Sequence, residues 1–238
     1  EKEGLPTPPL SLHLVFMGNP GTGKTTVARL LARIYHAIGV LSKGQLVEVD
    51  RSGLVAGFVG QTAIKTGEAV QKALGGVLFI DEAYALSNHD SPNDFGQEAI
   101  ETLLKGMEDH REDLVVIVAG YTDLMEGFLH SNPGLESRFN KYFYFEDYDG
   151  AQLMEIFLSL CEKNGYALQK EGEEAVRAWF QRLYAERDEN FGNARDVRNC
   201  FERAVARQAD RVAALAEPTK EQLMELTLED LDLEDGES

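Results

Sequence analysis

Two rhythms of apolar residues alternate along the chain as far as Phe145, and only one of them continues beyond it. Short runs that are apolar at every position, Leu14-Val15-Phe16-Met17, Val77-Leu78-Phe79-Ile80 and Leu114-Val115-Val116-Ile117-Val118, read as strands buried on both faces. Leu46-Val47-Glu48-Val49 and Tyr142-Phe143-Tyr144-Phe145 bring the set to five. Between them the spacing turns helical. Val27, Leu30, Leu31, Ile34 and Ile38 make an apolar stripe stopped by Gly39, and further helices are predicted over about 62–73, 96–110 and 122–130. Strands alternating with helices predict an α/β domain built on a five-stranded parallel sheet, covered on both faces. Polar or Gly-punctuated loops are expected from Ser52 to Gln61 and from Ser87 to Phe95.

From Asp149 the pattern changes. Helices are predicted over about 149–162, 171–186 and 193–215, no strand is expected, and Leu153, Ile156, Phe157, Leu160, Val176 and Trp179 fall where a helical core would sit. The turn signal Asp147-Tyr148-Asp149-Gly150 marks the junction, so the expected organisation is an α/β domain over 1–147, a small all-α domain over 148–230 and an acidic, disordered tail over 231–238. Acidic residues crowd the stretch from Glu217, with Lys220 alone against them, and no catalytic role is expected there.

Charge narrows the partners. The 238 residues carry 23 Lys plus Arg against 41 Asp plus Glu, a formal net charge of −18, which repels phosphate backbones and anionic headgroups and makes nucleic acid an unfavoured partner. No run nears the ~18 apolar residues of a membrane span and none resembles a signal peptide, so a cytoplasmic, membrane-free location is expected. The chain opens at Glu1 and not at a methionine, as expected of an excised or processed chain with a segment upstream. Cys161 and Cys200 sit among apolar neighbours in helical stretches and read as small buried hydrophobes, and the five scattered histidines have no ligand spacing.

The chemistry concentrates in one octet. Gly18-Asn19-Pro20-Gly21-Thr22-Gly23-Lys24-Thr25, followed by Thr26, is a complete G-x-x-x-x-G-K-[ST] loop between a strand and a helix. Its glycines let backbone N–H groups curl around the α/β-phosphates, Lys24 reaches the β/γ-phosphates, and the Thr25 hydroxyl suits Mg²⁺. Asp81 closes the third strand and Glu82 follows, which fits a carboxylate holding Mg²⁺ beside one that polarises an attacking water. A kinase would need a phosphoryl acceptor site; the Asp-Glu pair argues for water.

These motifs, with Asn132-Pro133-Gly134-Leu135-Glu136-Ser137-Arg138-Phe139 and Gly192-Asn193-Ala194-Arg195-Asp196-Val197-Arg198-Asn199, make the chain resemble an AAA+ ATPase. It is most similar to the CbbX/CfxQ group, which includes red-type Rubisco activase, stage V sporulation protein K and the ATPase domain of type VII secretion components. The resemblance covers nearly the whole chain and implies a P-loop domain with a helical lid, ATP and Mg²⁺ as cofactors, and a homo-oligomeric, hexameric ring that remodels a protein client. It implies an arginine finger at Arg138, reaching the nucleotide of the neighbouring subunit, and a sensor at Arg195 with Arg198 close by on the same helix. A surface ion pair is the plainer role for each arginine in so acidic a protein. Phe58-Val59-Gly60 matches the aromatic-hydrophobic-Gly pore loop that grips a threaded polypeptide, while Phe58 filling the core beneath a turn is the alternative. Gly120-Tyr121-Thr122 replaces the sensor Asn of the wider superfamily and leaves Tyr121 or Thr122 as water-positioning candidates. ATP, not GTP, follows from the resemblance, since no Asn-Lys-x-Asp occurs. Two rival classes remain: an ATP-gated switch or scaffold with slow hydrolysis, and a nucleic-acid remodeller, which the charge disfavours.

Overall fold

Parallel pairing of five strands organises the first part of the chain. The structure, a computed structural model, describes residues 12–58, 60–87, 95–231 and 233. It divides into two units, one comprising the chain up to Asn19 with Gly23–Phe145, the other Pro20–Thr22 with Glu146 onward. In the first unit the elements run β1 (Leu14–Gly18), α1 (Lys24–Ala37), β2 (Leu46–Val49), α2 (Arg51–Leu54), α3 (Gln61–Ala73), β3 (Val77–Ile80), a 3-10 turn (Ala83–Ser87), α4 (Gly96–Asp109), β4 (Val115–Gly120), α5 (Thr122–His130), α6 (Pro133–Arg138) and β5 (Tyr142–Phe145). The strand order is β2-β3-β4-β1-β5, every pair parallel.

Alternation along each strand divides the core in two. Val15, Met17, Leu78, Ile80, Val116 and Val118 point to one face, where Val70, Leu103, Phe128, Leu135 and others from α3, α4, α5 and α6 cover them. Leu14, Phe16, Val77, Phe79, Val115 and Ile117 point to the other, under α1. Burial on both faces is why these strands read as continuous apolar runs. The helical stripe expected on α1 is divided differently. Ala28 and Ala32 are the fully buried positions, whereas Leu30, Ile34 and Ile38 are 49%, 50% and 66% exposed. Small alanines let the helix lie close to the sheet, and the steps of four from Leu30 carry the larger residues to another face.

The second unit holds α7 (Gly150–Lys163), β6 (Ala167–Leu168), α8 (Lys170–Ala185), α9 (Ala194–Ala213), α10 (Lys220–Met224), β7 (Glu225–Leu226) and a 3-10 turn (Leu228–Asp230). Asp149 starts α7 through a capping box: its carboxylate accepts from Gln152 N at 2.9 Å and Gln152 Oε1 accepts from Asp149 N at 2.9 Å. Phe157, Val176, Trp179, Phe180, Phe201 and Cys200 pack in one core, with Leu226 and Leu231. Both cysteines are free and buried, and burial pushes the Cys161 thiol up to about 11.

Two sequence expectations are corrected here. The unit is not wholly helical, because β6 and β7 pair in parallel through Ala167–Glu225 and Leu168–Leu226. Two described residues of the expected tail are packed: Leu231 is 7% exposed in the core and Leu233 packs against it, while the other tail residues lie outside the described ones. Acidic composition concealed the two leucines and the anchor beside them. Asp230, 1% exposed, takes Arg211 Nε and Nη2 at 2.8 Å each and accepts from Thr227 N at 2.8 Å. Burial alone raises the pKa of Asp230; the Arg211 and Thr227 bonds outweigh it and hold the carboxyl below its ordinary value.

A carboxyl with a lowered folded-state pKa contributes stability above its unfolded pKa and loses that contribution as pH falls through the folded value. Asp230→Asn is therefore expected to cost about 3 kcal/mol at pH 7, at the low end for a broken buried pair because Arg211 stays partly exposed. Urea titrations from pH 7 to pH 3 check this: the gap between variant and parent should hold near neutrality and shrink below about pH 4.

Candidate active site

Parallel strands bring their C-terminal ends to one edge of a sheet, and in such folds ligands bind there. β1 and β3 both flank β4, so the octet after β1, Gly120 at the end of β4 and Asp81 after β3 share that edge. Asp81 N donates to Val49 O at 2.8 Å, which fixes the exit of β3 against β2.

The octet has the character of an anion cradle. Gly21 and Gly23 have φ of 73° and 93°, conformations that turn successive N–H groups to one side. Gly23 precedes α1 without any side-chain cap, leaving the amides of the first turn for another acceptor. Lys24 is buried, and its ammonium donates to Gly18 O at 2.8 Å and Asn19 O at 2.7 Å. Thr25 Oγ donates to Glu48 Oε1 at 3.5 Å, and Arg29 lies 4.0 Å from the same carboxylate. Thr26 is exposed on the first turn of α1. Thr25 and Asp81 offer hard oxygens suited to Mg²⁺. Among the described residues no group of three or more His, Cys, Asp or Glu is arranged to hold a metal ion.

Glu82 carries backbone strain. Its φ is 48°, left-handed for a residue with a side chain, and its amide donates to Asp81 Oδ1 at 3.0 Å. Tyr84 follows, its hydroxyl pushed up to about 12 by burial and by the nearby Glu82, Tyr121 and Asp81. A Cβ on Gly120 would stand 2.7 Å from the Tyr84 ring, so glycine at the end of β4 is what lets that ring lie there. Tyr121 precedes α5 in extended conformation, 6.2 Å ring to ring from Tyr84.

Arg138 ends α6, which Asn132 starts by accepting from Gly134 N at 2.7 Å. Its guanidinium is paired with Glu108 at 3.1 Å and is partly exposed. Arg195 lies on the exposed side of the first turn of α9, in the second unit, the unit to which Pro20–Thr22 belong. Phe58 is 71% exposed, which removes the core-filling role, and Gly60 precedes α3 with φ 78°. Val59 and residues 88–94 of the second loop lie outside the described residues. Sequence reasoning passed over Glu48, whose approach to Thr25 depends on how α1 lies beside β2, and Tyr84, whose partners Asp81 and Glu82 follow β3 while Gly120 and Tyr121 come from the end of β4.

This fold and loop define a P-loop nucleotide-binding protein with a helical lid. Residues 14–147 match the model of the ATPase family associated with various cellular activities (AAA), and 149–238 match the AAA lid domain. The sequence is 48% identical over 212 residues to Protein CbbX of Cereibacter sphaeroides, 89% of this chain and 68% of that one. It is 44% identical over 233 residues to the chloroplastic ribulose bisphosphate carboxylase/oxygenase activase of Cyanidioschyzon merolae, covering 97% and 79%. Stage V sporulation protein K of Bacillus subtilis is 42% identical over 238 residues, covering 100% and 74%. The solved FIGL-1 AAA domain in complex with ADP has the same fold, with a TM-score of 0.61 at 18% identity, covering 92% and 69%. The chain belongs to the AAA family of ATPases, in its CbbX/CfxQ group. Its activity is ATP hydrolysis. Among the described residues no helix is long and apolar enough to cross a membrane.

Left-handed backbone favours glycine over other residues by about 1 kcal/mol. Glu82→Gly is therefore expected to leave stability unchanged or raise it by up to about that amount, although it removes a site carboxylate. Urea denaturation of variant and parent measures it.

Proposed function

We propose that the protein is a Mg²⁺-dependent motor that hydrolyses ATP as a homo-oligomeric ring, hexameric as its family leads one to expect, and uses the cycle to remodel a protein client in the cytoplasm. The observation that carries this reading is the convergence of the octet, Asp81 and a strained Glu82 at one sheet edge. Backbone N–H groups of Asn19 and of residues 21–26, with the Lys24 ammonium, bind and orient the phosphates, while Pro20 contributes to the shape of the loop. Thr25 and Asp81 would hold Mg²⁺, which offsets phosphate charge when bound. Glu82 takes a proton from the attacking water, its left-handed backbone aiming the carboxylate away from the strand. Arg138 serves the nucleotide of the neighbouring protomer, stabilising charge on the transferred phosphoryl group. Its pairing with Glu108 gives it a resting partner. Arg195 senses the γ-phosphate.

An assembled state has support on the surface of the first unit. The face of α1 that carries Leu30, Ile34 and Ile38 is apolar and exposed, as expected of a chain that associates. Phe58, exposed in the loop before α3 and close to a left-handed Gly60, suits a residue that grips extended polypeptide, as the Phe58-Val59-Gly60 sequence suggests. One relative is named as the activase of a carboxylase, which supports a protein client. The slow switch is the second reading, favoured by the Glu108 pairing of Arg138, which must break before Arg138 can act.

Turnover per protomer is expected to climb with protein concentration, and Glu82→Gln to lower it by about 10²- to 10⁴-fold while ATP still binds. Steady-state phosphate release over a wide concentration range decides between the readings. Turnover that is flat with concentration and unaffected by Glu82→Gln would remove the motor.

A further inference from the structure

The tip of the phosphate loop is held from behind. In the second unit, which includes Pro20–Thr22, three consecutive loop carbonyls are each engaged by a donor. Asn193 Nδ2 donates to Pro20 O at 3.3 Å, Ala194 N to Gly21 O at 3.1 Å, and the Tyr148 hydroxyl to Thr22 O at 3.1 Å. The peptide bonds of the described residues are all trans. In a planar trans peptide the C=O and the N–H of the next residue point in opposite directions. Fixing these three carbonyls toward Asn193 and Tyr148 therefore directs the N–H groups of Gly21, Thr22 and Gly23 to the opposite side, the orientation an anion nest requires. Contact is close: a Cβ on Gly21 would collide with Gly192 O.

Asn193 itself is strained for this purpose. It is fully buried and has φ 55° and ψ −125°, a region that suits glycine and costs other residues about 1–3 kcal/mol. Glycine would take that backbone freely, so what asparagine adds is its amide. Besides Pro20 O, Nδ2 donates to Asp147 Oδ1 at 2.8 Å, and Oδ1 accepts from Tyr148 N at 2.8 Å. The amide thus joins the loop tip to Asp147-Tyr148, and through Tyr148 it reaches the tip a second time.

We propose that Asn193 and Tyr148 are positioning residues for phosphate binding: with the Ala194 amide they hold the loop tip carbonyls outward and so pre-orient its N–H groups for nucleotide. The proposal rests on the reading of residues 18–25 as the phosphate site. Pre-orientation lowers the ordering cost of binding, so its loss weakens affinity more than it slows turnover at saturation.

The test uses the full chain with ADP titrated by calorimetry, ATP turnover for KM and kcat, and melting with and without ADP. Asn193→Gly keeps the backbone accessible and deletes the amide. It is expected to raise the ADP Kd about tenfold, with KM rising more than kcat falls, and Tyr148→Phe to raise it about threefold, changes on the scale of one hydrogen bond. Melting without ADP should be lowered modestly in Asn193→Gly, since relief of the backbone strain offsets part of the lost hydrogen bonding, while the ADP-induced rise in Tm shrinks. If both variants bind ADP like the parent while Lys24→Ala loses binding, the positioning role is overturned and the phosphate site stands. If Lys24→Ala also binds like the parent, the site reading itself fails. Should Asn193→Gly not fold, Tyr148→Phe, which leaves backbone and burial intact, decides the matter alone.

Discussion

Strand register governs what the rest of this molecule can do. β1 and β3 each lie parallel to β4, with Leu14 and Phe79 both opposite Ile117, so their registers against β4 are fixed and β1 runs three residues further than β3 before it ends at Gly18. Slipping one strand by a residue would exchange the Val15/Met17 face for the Leu14/Phe16 face and expel one core or the other. Two separately packed cores thereby protect the height at which the octet, Gly120 and Asp81 emerge. The catalytic edge is a consequence of hydrophobic alternation several residues upstream.

Upon that rigid frame the chain places two departures from relaxed geometry. Glu82 and Asn193 are the non-glycine residues with positive φ among those described. The first follows the buried strand β3 and is exposed; the second is wholly buried and its amide is fully engaged in hydrogen bonds. Strain survives only where the surroundings over-determine it, as the strand exit does for Glu82 and the hydrogen bonds do for Asn193. In our reading the two are parts of one task, one aiming a carboxylate at water and the other shaping the loop that binds phosphate. Backbone relaxation and function then pull in opposite directions at these positions, since glycine would relax both and serve neither.

Much of this is legible in the sequence, for reasons that differ by feature. The strands announce themselves because both faces are buried, and the octet because phosphate binding needs specific residues at fixed spacing. The α1 stripe misleads in part: Val27 and Leu31 pack against the core as expected, but Ala28 and Ala32, which carry little apolar signal, are its fully buried positions, while Leu30, Ile34 and Ile38 face outward. The folded stretch up to Leu231 is hidden by its acidic composition, because the anchor joining Arg211 to Asp230 spans two elements. Asn193 looks like a turn residue before a helix. Its partner Pro20 lies 173 positions away, a separation no local pattern reveals.

The measurement that bears most directly on the central claim mixes two variants that should each be inactive, Glu82→Gln and Arg138→Ala, and follows ATP turnover. If each site takes Glu82 from one protomer and Arg138 from the next, mixed rings contain intact sites, and an equal mixture should recover about a quarter of parental turnover by random assembly. A mixture that remains as inactive as its components, with both variants still associating and binding ATP, would contradict a shared site and with it the ring motor.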